Sequence, residues 1–199
     1  NKIVLKNVSF RYPNSEKLIL NNFNLEINNG DKLGIIGESG SGKTTLVNII
    51  MGLLKISNGS IIIDDKKLNN NSYNYIKNLG YVPQEICLIE DTISKNIALG
   101  VAEKEISREN LIRASSSAQI LNFISSLNEK FEKKIKEKGN NFSAGQKQRL
   151  GVARALYKSP NIIVLDESTS SLDSITESQF IDDIFELNKD KTIIFISHK

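Results

Sequence analysis

The sequence predicts an α/β fold in which a mostly parallel sheet carries an inserted helical block. Strand-like and helix-like segments alternate near both ends of the chain, and the strand-like segments 32–37, 161–167 and 191–198 are apolar almost throughout. Such strands are typical of parallel sheets that helices cover on both faces. Residues 86–157 are patterned as helices, so we expect this block to interrupt the sheet.

The first part of the chain is expected to form strands around one helix. Segments 3–10 and 18–27 alternate apolar and polar residues, as half-buried strands do, and segments 60–64 and 79–83 favour further short strands. A helix is predicted from Lys43 to Leu53, because its apolar residues recur at the spacing of one helix face. The core positions on that face are Leu46, Ile49, Ile50 and Leu53.

The second part is expected to be helical and then to return to the sheet. Helices are predicted in segments 91–100 and 109–120 and after Ser143, and another in 174–188 between the last two strands. Ser143 and Gln146 stand in the relation of a capping box, in which each side chain bonds a backbone N–H of the other residue. The Asn-rich segment 68–74 is typical of a loop.

Composition excludes several classes of protein. The 199 residues carry a net charge of only +3 with Lys and Glu interspersed, so no clustered basic face indicates nucleic acid as a partner. The single cysteine, Cys87, excludes an internal disulfide and suits a reducing compartment. The longest apolar runs have the length of strands, whereas a membrane-spanning helix needs about 20 apolar residues.

The segment GESGSGKT (37–44) follows a predicted strand, opens a predicted helix and fits the phosphate-binding pattern G-x-x-x-x-G-K-T. Its glycines let several backbone N–H groups converge on one phosphate, where the helix N-terminus adds positive potential. Lys43 would reach the β- and γ-phosphates, and the Thr44 hydroxyl would bind Mg²⁺. The alternative is a flexible Gly/Ser loop. The predicted phosphate-binding residues are Gly37, Glu38, Ser39, Gly40, Ser41, Gly42, Lys43, Thr44 and Thr45.

Two acids end the apolar strand NIIVLDE. Asp166 lies at the carboxyl end of a strand, where ligands bind in open α/β sheets, and is predicted to hold Mg²⁺. Glu167 is predicted to be the general base that directs the attacking water. The alternative for both is a solvated strand end.

Gln84 and His198 also follow predicted strands. The Gln84 amide could bind Mg²⁺ or the attacking water, and His198, the only histidine, could donate a hydrogen bond to a γ-phosphate. By themselves the two residues would be a surface glutamine and a structural histidine.

The order of these motifs resembles the nucleotide-binding domains of ABC transporters, over essentially the whole chain. The matching segments are GESGSGKT, YVPQ (81–84), FSAGQ (142–146), IIVLDE (162–167), SSLD (170–173) and ISH (196–198). In addition, FRYP (10–13) resembles the element in which an aromatic residue, here Tyr12, stacks on adenine.

The resemblance implies a P-loop NTPase with a RecA-like core, a small antiparallel β subdomain and an inserted helical subdomain. The single domain 1–199 would then divide into an ATP-binding core (1–85 and 158–199) and a helical subdomain (86–157). The implied cofactors are ATP and Mg²⁺, with Thr44, Gln84 and Asp166 at the metal. The implied catalytic residues are Lys43, Gln84, Glu167 and His198.

A head-to-tail dimer is implied by the same resemblance. Ser143, Gly145 and Gln146 of FSAGQ would bind the γ-phosphate of the ATP held by the opposing domain, and Asp173 would lie at that interface. Ala144 replaces a usual glycine, and a positive φ at this position would strain it by about 1 kcal/mol. SSLD stands where SALD is usual, and Ser168 stands where Ala or Pro is commoner.

Within the family, the chain is similar to exporters. Segment 89–100 resembles the exporter segment after the glutamine motif, and Glu137 stands where exporters carry a Glu-x-Gly element. General similarity extends to flippases for lipid-linked oligosaccharides. This implies transmembrane domains preceding Asn1, a place at the cytoplasmic face of a membrane, and a domain cut short at its C-terminus.

Two alternatives differ in class. One is an ABC ATPase that acts on DNA or ribosomes, but the sequence shows neither long coiled-coil insertions nor a second ABC domain. The other is a regulatory module that has lost hydrolysis, against which the presence of Lys43, Asp166, Glu167 and His198 argues.

Overall fold

Two four-stranded sheets organise the computed structural model, which describes residues 2–68, 73–136, 139–166 and 174–197. The strands are β1 (Ile3–Phe10), β2 (Leu20–Ile27), β3 (Lys32–Ile36), β4 (Asn58–Ile63), β5 (Lys66–Lys67), β6 (Leu79–Val82), β7 (Ile162–Asp166) and β8 (Thr192–Ser197). The helices are α1 (Lys43–Ile50), α2 (Tyr73–Lys77), α3 (Ile93–Ile97), α4 (Arg108–Ser117), α5 (Leu121–Ser126), α6 (Ala144–Leu156) and α7 (Ser174–Leu187). Short 3₁₀ turns span 103–105 and 130–132.

One sheet is parallel, with strand order β3-β8-β7-β6. In this sheet Ile196 of β8 pairs with Ile35 on one side and with Asp166 on the other. The loop after β3 and the end of β7 therefore lie at the same carboxyl edge, two strand spacings or about 10 Å apart. The prediction of a mostly parallel sheet is confirmed, and the sheet brings the two predicted phosphate and metal motifs to one edge.

The parallel sheet separates two hydrophobic cores. Side chains alternate along β7, so that Ile162 and Val164 join the core with the antiparallel sheet and α1, whereas Ile163 and Leu165 join the core with the helical block. All five residues of β7 are buried. This two-sided burial explains why the strand is apolar up to Asp166, which is only 7% exposed.

The second sheet is antiparallel, with strand order β2-β1-β4-β5. Its central strand β1 has the bounds that the alternation in segment 3–10 predicts. Buried residues of β1 and β4 pack with those of α1, so this sheet supports the helix that follows the Gly-rich loop. The antiparallel β part implied by the resemblance is thus present.

Helices α3 to α6 occupy the predicted helical block, and side chains cap several of them. Thr92 accepts a hydrogen bond from Lys95 N at the start of α3, and Ser107 accepts one from Asn110 N at the start of α4. Each cap satisfies one N–H group that would otherwise have no partner at a helix N-terminus. The helix predicted over 109–120 is present as α4, but its predicted end is wrong: α4 ends at Ser117, and α5 begins at Leu121.

The prediction that α1 extends to Leu53 with this residue in the core is wrong. The helix ends at Ile50, because Gly52 takes a left-handed conformation (φ 74°). Its N–H bonds Ile49 O at 3.0 Å and Leu53 N bonds Asn48 O at 2.8 Å, which is a Schellman motif. Leu53 then leaves the apolar face and is 62% exposed.

The expected loop over 68–74 is wrong at its end, since Tyr73 and Asn74 open α2; residues 69–72 lie outside the described residues. Across the described ranges, none of the helices is both long and apolar enough to cross a membrane.

Candidate functional site

The Gly-rich loop between β3 and α1 wraps around the ammonium group of Lys43. Its Nζ donates hydrogen bonds to Gly37 O at 2.7 Å and Glu38 O at 3.0 Å, and the side chain is only 7% exposed. The loop is closed further by Ser41 N, which bonds Glu38 O at 3.2 Å. The positive charge is therefore held at the mouth of the loop, as phosphate binding requires.

Backbone conformation explains the glycines of this loop. Gly40 and Gly42 have φ values of 77° and 98°, a region that side chains disfavour. Gly37 does not have a positive φ, but a Cβ there would lie 2.9 Å from Ser41 Oγ. Gly42 is also the N-cap of α1, so the Gly-rich loop ends directly at the helix N-terminus.

A cleft of about 500 Å³ opens over this loop. It brings together residues from β1's end, the Gly-rich loop and the segment after β6, which are far apart in sequence. Its lining residues are Tyr12, Ile19, Ser39, Gly40, Gly42, Lys43, Thr44, Thr45 and Gln84. All of them except Ile19 were predicted from sequence as nucleotide-binding residues.

Tyr12 forms one wall of the cleft. Its hydroxyl lies 3.0 Å from Thr45 Oγ1, and its ring meets that of Phe10 edge-on with centroids 5.0 Å apart. The ring is 42% exposed, which leaves aromatic surface for a planar ligand such as a base. Ile19 lines the same cleft, with Cγ2 2.8 Å from the position that a Cβ on Gly42 would take.

Asp166 has a partner that the sequence did not indicate. Tyr81 Oη, on the neighbouring strand β6, donates a hydrogen bond to Asp166 Oδ2 at 3.0 Å. Burial, and next the negative charge of Asp166, raise the pKa of Tyr81 to about 12, so the phenol keeps its proton at neutral pH. Strand pairing is the only signal for this contact, and it depends on knowing which strand lies beside β7.

The oxygen donors at this edge fit Mg²⁺. The Thr44 hydroxyl and the Gln84 amide line the cleft, and the Asp166 carboxylate ends a strand of the same sheet. Hydroxyl, amide and carboxylate oxygens are hard donors, and Mg²⁺ usually takes one or two protein carboxylates with substrate phosphates and water. Within the described part of the chain, no three His, Cys, Asp or Glu residues cluster as an all-protein metal site.

The start of α6 has the geometry that the sequence predicts. Ser143 Oγ accepts a hydrogen bond from Gln146 N at 3.2 Å, and Gln146 Oε1 accepts one from Ser143 N at 2.9 Å, which completes the capping box. Ala144 is the first residue of α6 and has no positive φ, so the strain considered for it does not arise. These residues do not line the cleft over the Gly-rich loop.

The segment that follows Gln84 is fastened to α6. A Cβ on Gly151 would lie 2.4 Å from Ile86 Cδ1, so this glycine admits the isoleucine against the helix. Arg154 donates to Cys87 O at 2.9 Å and to Asn96 O at 2.8 Å. Both contacts link the cleft's glutamine segment to the helix that begins at Ser143.

Some predicted residues lie outside the described residues. They are Glu137, Glu167, Asp173 and His198. Ile19 and Tyr81 are the site residues that sequence reasoning missed; both are apolar or aromatic positions at strand-like segments, where a core role is the usual expectation.

Comparison with known proteins identifies the family. Residues 20–170 match the family described as ABC transporter. The ATP-dependent lipid A-core flippase of Haemophilus influenzae is 38% identical over 195 residues, which are 98% of this chain and 33% of that protein. The leukotoxin translocation ATP-binding protein LktB of Mannheimia glucosida is 38% identical over 198 residues, 99% of this chain and 28% of that protein.

Comparison with a solved structure supports the same family. A bacterial Atm1-family ABC exporter with ATP bound superposes with a TM-score of 0.85 at 32% identity, over 100% of this chain and 34% of that one. The chain thus spans about a third of the length of the relatives that it matches. The chain belongs to the ABC transporter family, in which it corresponds to the ATP-binding ATPase domain.

Proposed function

We propose that this chain is the motor domain of an exporter, which binds Mg²⁺-ATP in the cleft over the Gly-rich loop and hydrolyses it. The observation that carries the proposal is the cleft itself, which a half-exposed aromatic ring, Tyr12, lines together with Ile19 and the Lys43 loop. Such a cleft offers a stacking surface at one end and a phosphate cradle at the other.

The residues have separate roles in this proposal. Tyr12 and Ile19 hold the base, and the loop N–H groups with Lys43 neutralise the phosphates. Thr44, Gln84 and Asp166 would hold Mg²⁺, which would supply further neutralisation of the phosphate charge. Glu167 directs water in line with the γ-phosphate, and His198 and Gln84 contact that phosphate.

A second copy or a related domain completes the site. The N–H groups at the start of α6, fixed by the capping box of Ser143 and Gln146, offer positive potential to an anion. Since these residues do not line their own cleft, we propose that Ser143, Gly145 and Gln146 bind the γ-phosphate held by the opposing, head-to-tail domain. We propose that Asp173 acts at the same interface.

The coupling of this motor to transport belongs to the whole protein. The relatives named as a flippase and as a toxin translocation protein support transmembrane domains in the same transporter and an export or flipping reaction, for which a lipid or a lipid-linked glycan is the first substrate to test. We place the domain at the cytoplasmic face, with 1–85 and 158–199 as the ATP-binding core and 86–157 as the helical subdomain.

The substitution Glu167→Gln tests the proposed hydrolysis. It should lower steady ATPase activity at least about 100-fold while ATP binding persists, because it removes the base and leaves the phosphate cradle. Glu105→Gln, at an exposed acid outside the site, is the matched control. Unchanged turnover in the Glu167 variant would exclude this residue as the base.

Dimer formation can be measured with the same variant. ATP should shift the Glu167→Gln chain from monomer to dimer in light scattering, since bound ATP is no longer consumed. Adding Ser143→Arg should prevent that shift, because a bulky side chain would block the anion site at the start of α6. A dimer that forms equally well with Arg at position 143 would contradict the head-to-tail arrangement.

A further inference from the structure

Tyr81 is a strand tyrosine that neither core accounts for. It lies in the middle of β6, is 40% exposed, and is absent from both clusters of core side chains. A tyrosine in a parallel strand normally packs its ring, so its position calls for another explanation. The contact that it does make is the 3.0 Å hydrogen bond from Oη to Asp166 Oδ2.

Strand register explains how the two side chains meet. Tyr81 pairs with Val164, two residues before Asp166 on β7. Because side chains alternate between the faces of a sheet, residues two apart share one face, and Asp166 lies diagonally ahead of Tyr81 towards the carboxyl edge. The tyrosine side chain is long enough to span this diagonal, so the hydroxyl reaches the carboxylate from the next strand.

The hydrogen bond from Tyr81 stabilises the buried Asp166 carboxylate. Asp166 is only 7% exposed, and a buried carboxylate is unfavourable unless its oxygens accept hydrogen bonds. A phenol that donates to a carboxylate forms a charge-assisted bond, which is stronger and more directional than a neutral one. The Tyr81 hydroxyl therefore restricts the rotation of the Asp166 carboxylate about the Cβ–Cγ bond.

We propose that Tyr81 is a positioning residue that orients Asp166 toward Mg²⁺, an inference that rests on the metal site of the proposed function. Mg²⁺ requires near-octahedral geometry with short oxygen distances, so a carboxylate free to rotate binds it less well than a fixed one. Groups that hydrogen-bond a metal ligand commonly contribute 10–100-fold to metal affinity. The same strand leads to Gln84, so β6 serves the metal site through two residues.

Tyr81→Phe tests this, because it removes the hydroxyl and keeps the exposed ring. In the natural protein at full length, the Mg²⁺ concentration that half-saturates ATPase activity should rise about 10-fold. Calorimetric titration with ATP in EDTA should give the wild-type affinity, whereas the gain in ATP affinity on adding Mg²⁺ should shrink. A purely structural role of Tyr81 would change both titrations alike.

Tyr75→Phe is the matched control. The Tyr75 hydroxyl donates to Ile50 O at 2.8 Å, so this variant loses one tyrosine hydrogen bond away from Asp166. It should lower the melting temperature and leave the Mg²⁺ dependence unchanged. A wild-type Mg²⁺ dependence in Tyr81→Phe, or an equal change in Tyr75→Phe, overturns the inference.

Asp166→Asn separates this inference from the proposed metal site. If Asp166→Asn raises the Mg²⁺ requirement and Tyr81→Phe does not, the metal site stands and the role of Tyr81 is wrong. If Asp166→Asn itself keeps the wild-type Mg²⁺ requirement, the metal site of the proposed function is wrong, and the inference about Tyr81 is overturned with it.

Discussion

The guanidinium group of Arg154 in α6 holds Asn96 of α3 at two points. Nε donates to the main-chain Asn96 O at 2.8 Å, and Nη2 donates to the side-chain Oδ1 at 3.3 Å. The Asn96 amide in turn bonds both the N–H and the carbonyl of Ile89. Burial lowers the pKa of Arg154, and these acceptors offset the loss of solvation. The chain after Gln84 is thereby joined to the helix that begins at Ser143.

Arg154→Lys should destabilise the protein although it keeps the charge. A lysine cannot reproduce the planar fork, so the main-chain oxygens of Cys87 and of the buried Asn96 lose their donors. We expect the free energy of unfolding in urea to fall by about 2–4 kcal/mol. Arg108→Lys, at an exposed position in α4, should change it by less than about 0.5 kcal/mol. Equal effects of the two changes would show that the fork is unimportant.

Gly151→Ala should also destabilise the protein, although alanine favours helices by about 1 kcal/mol over glycine. The new Cβ would lie 2.4 Å from Ile86 Cδ1, and overpacking of this kind costs about 1–3 kcal/mol. Adding Ile86→Ala should recover part of the loss in a double-mutant cycle, since it removes the atoms that clash. Additive effects of the two changes would mean that Ile86 does not pack on Gly151. Gly34→Ala, where no atom lies within 4 Å of the new Cβ, controls for the glycine replacement itself.

Tyr12 variants separate stacking from hydrogen bonding. Tyr12→Ala should raise the ATP concentration for half-saturation about 10-fold, because stacking of a base on an aromatic ring contributes about 1–3 kcal/mol. Tyr12→Phe keeps the ring and loses only the bond with Thr45 Oγ1, so the increase should stay below about 5-fold. Thr45→Val should match Tyr12→Phe if that bond is the cause. Wild-type ATP affinity in the Tyr12→Ala variant would show that the Tyr12 ring only packs at the end of β1 and does not stack on the base.

Two serine caps test whether FSAGQ does more than start a helix. Ser143→Ala and Ser107→Ala each remove an N-cap hydroxyl, so each should lower the free energy of unfolding by about 1 kcal/mol. Only Ser143→Ala should also lower ATPase activity and ATP-driven dimer formation, because Ser107 lies at the start of α4 and outside the proposed interface. Parallel losses in both variants would reduce the role of Ser143 to capping.

Features that depend on neighbours along the chain were predictable from sequence. The alternation in 3–10 predicts β1 to the residue, and the spacing of Ser143 and Gln146 predicts the capping box. Local errors concern the ends of elements, as at α1, where the glycine at position 52 signals a helix stop that the apolar periodicity through Leu53 obscured.

The sequence by itself determined the chemical groups of the site and the elements that carry them, because short motifs and hydrophobic periods act over a few residues. Only the tertiary structure decided which groups meet. Tyr81 and Asp166 are 85 residues apart in the chain, and Arg154 and Asn96 are 58 apart. Such contacts depend on which strand lies beside β7 and on how α6 packs on α3. The burial of side chains in the two cores determines both of these arrangements, and no local sequence pattern encodes them.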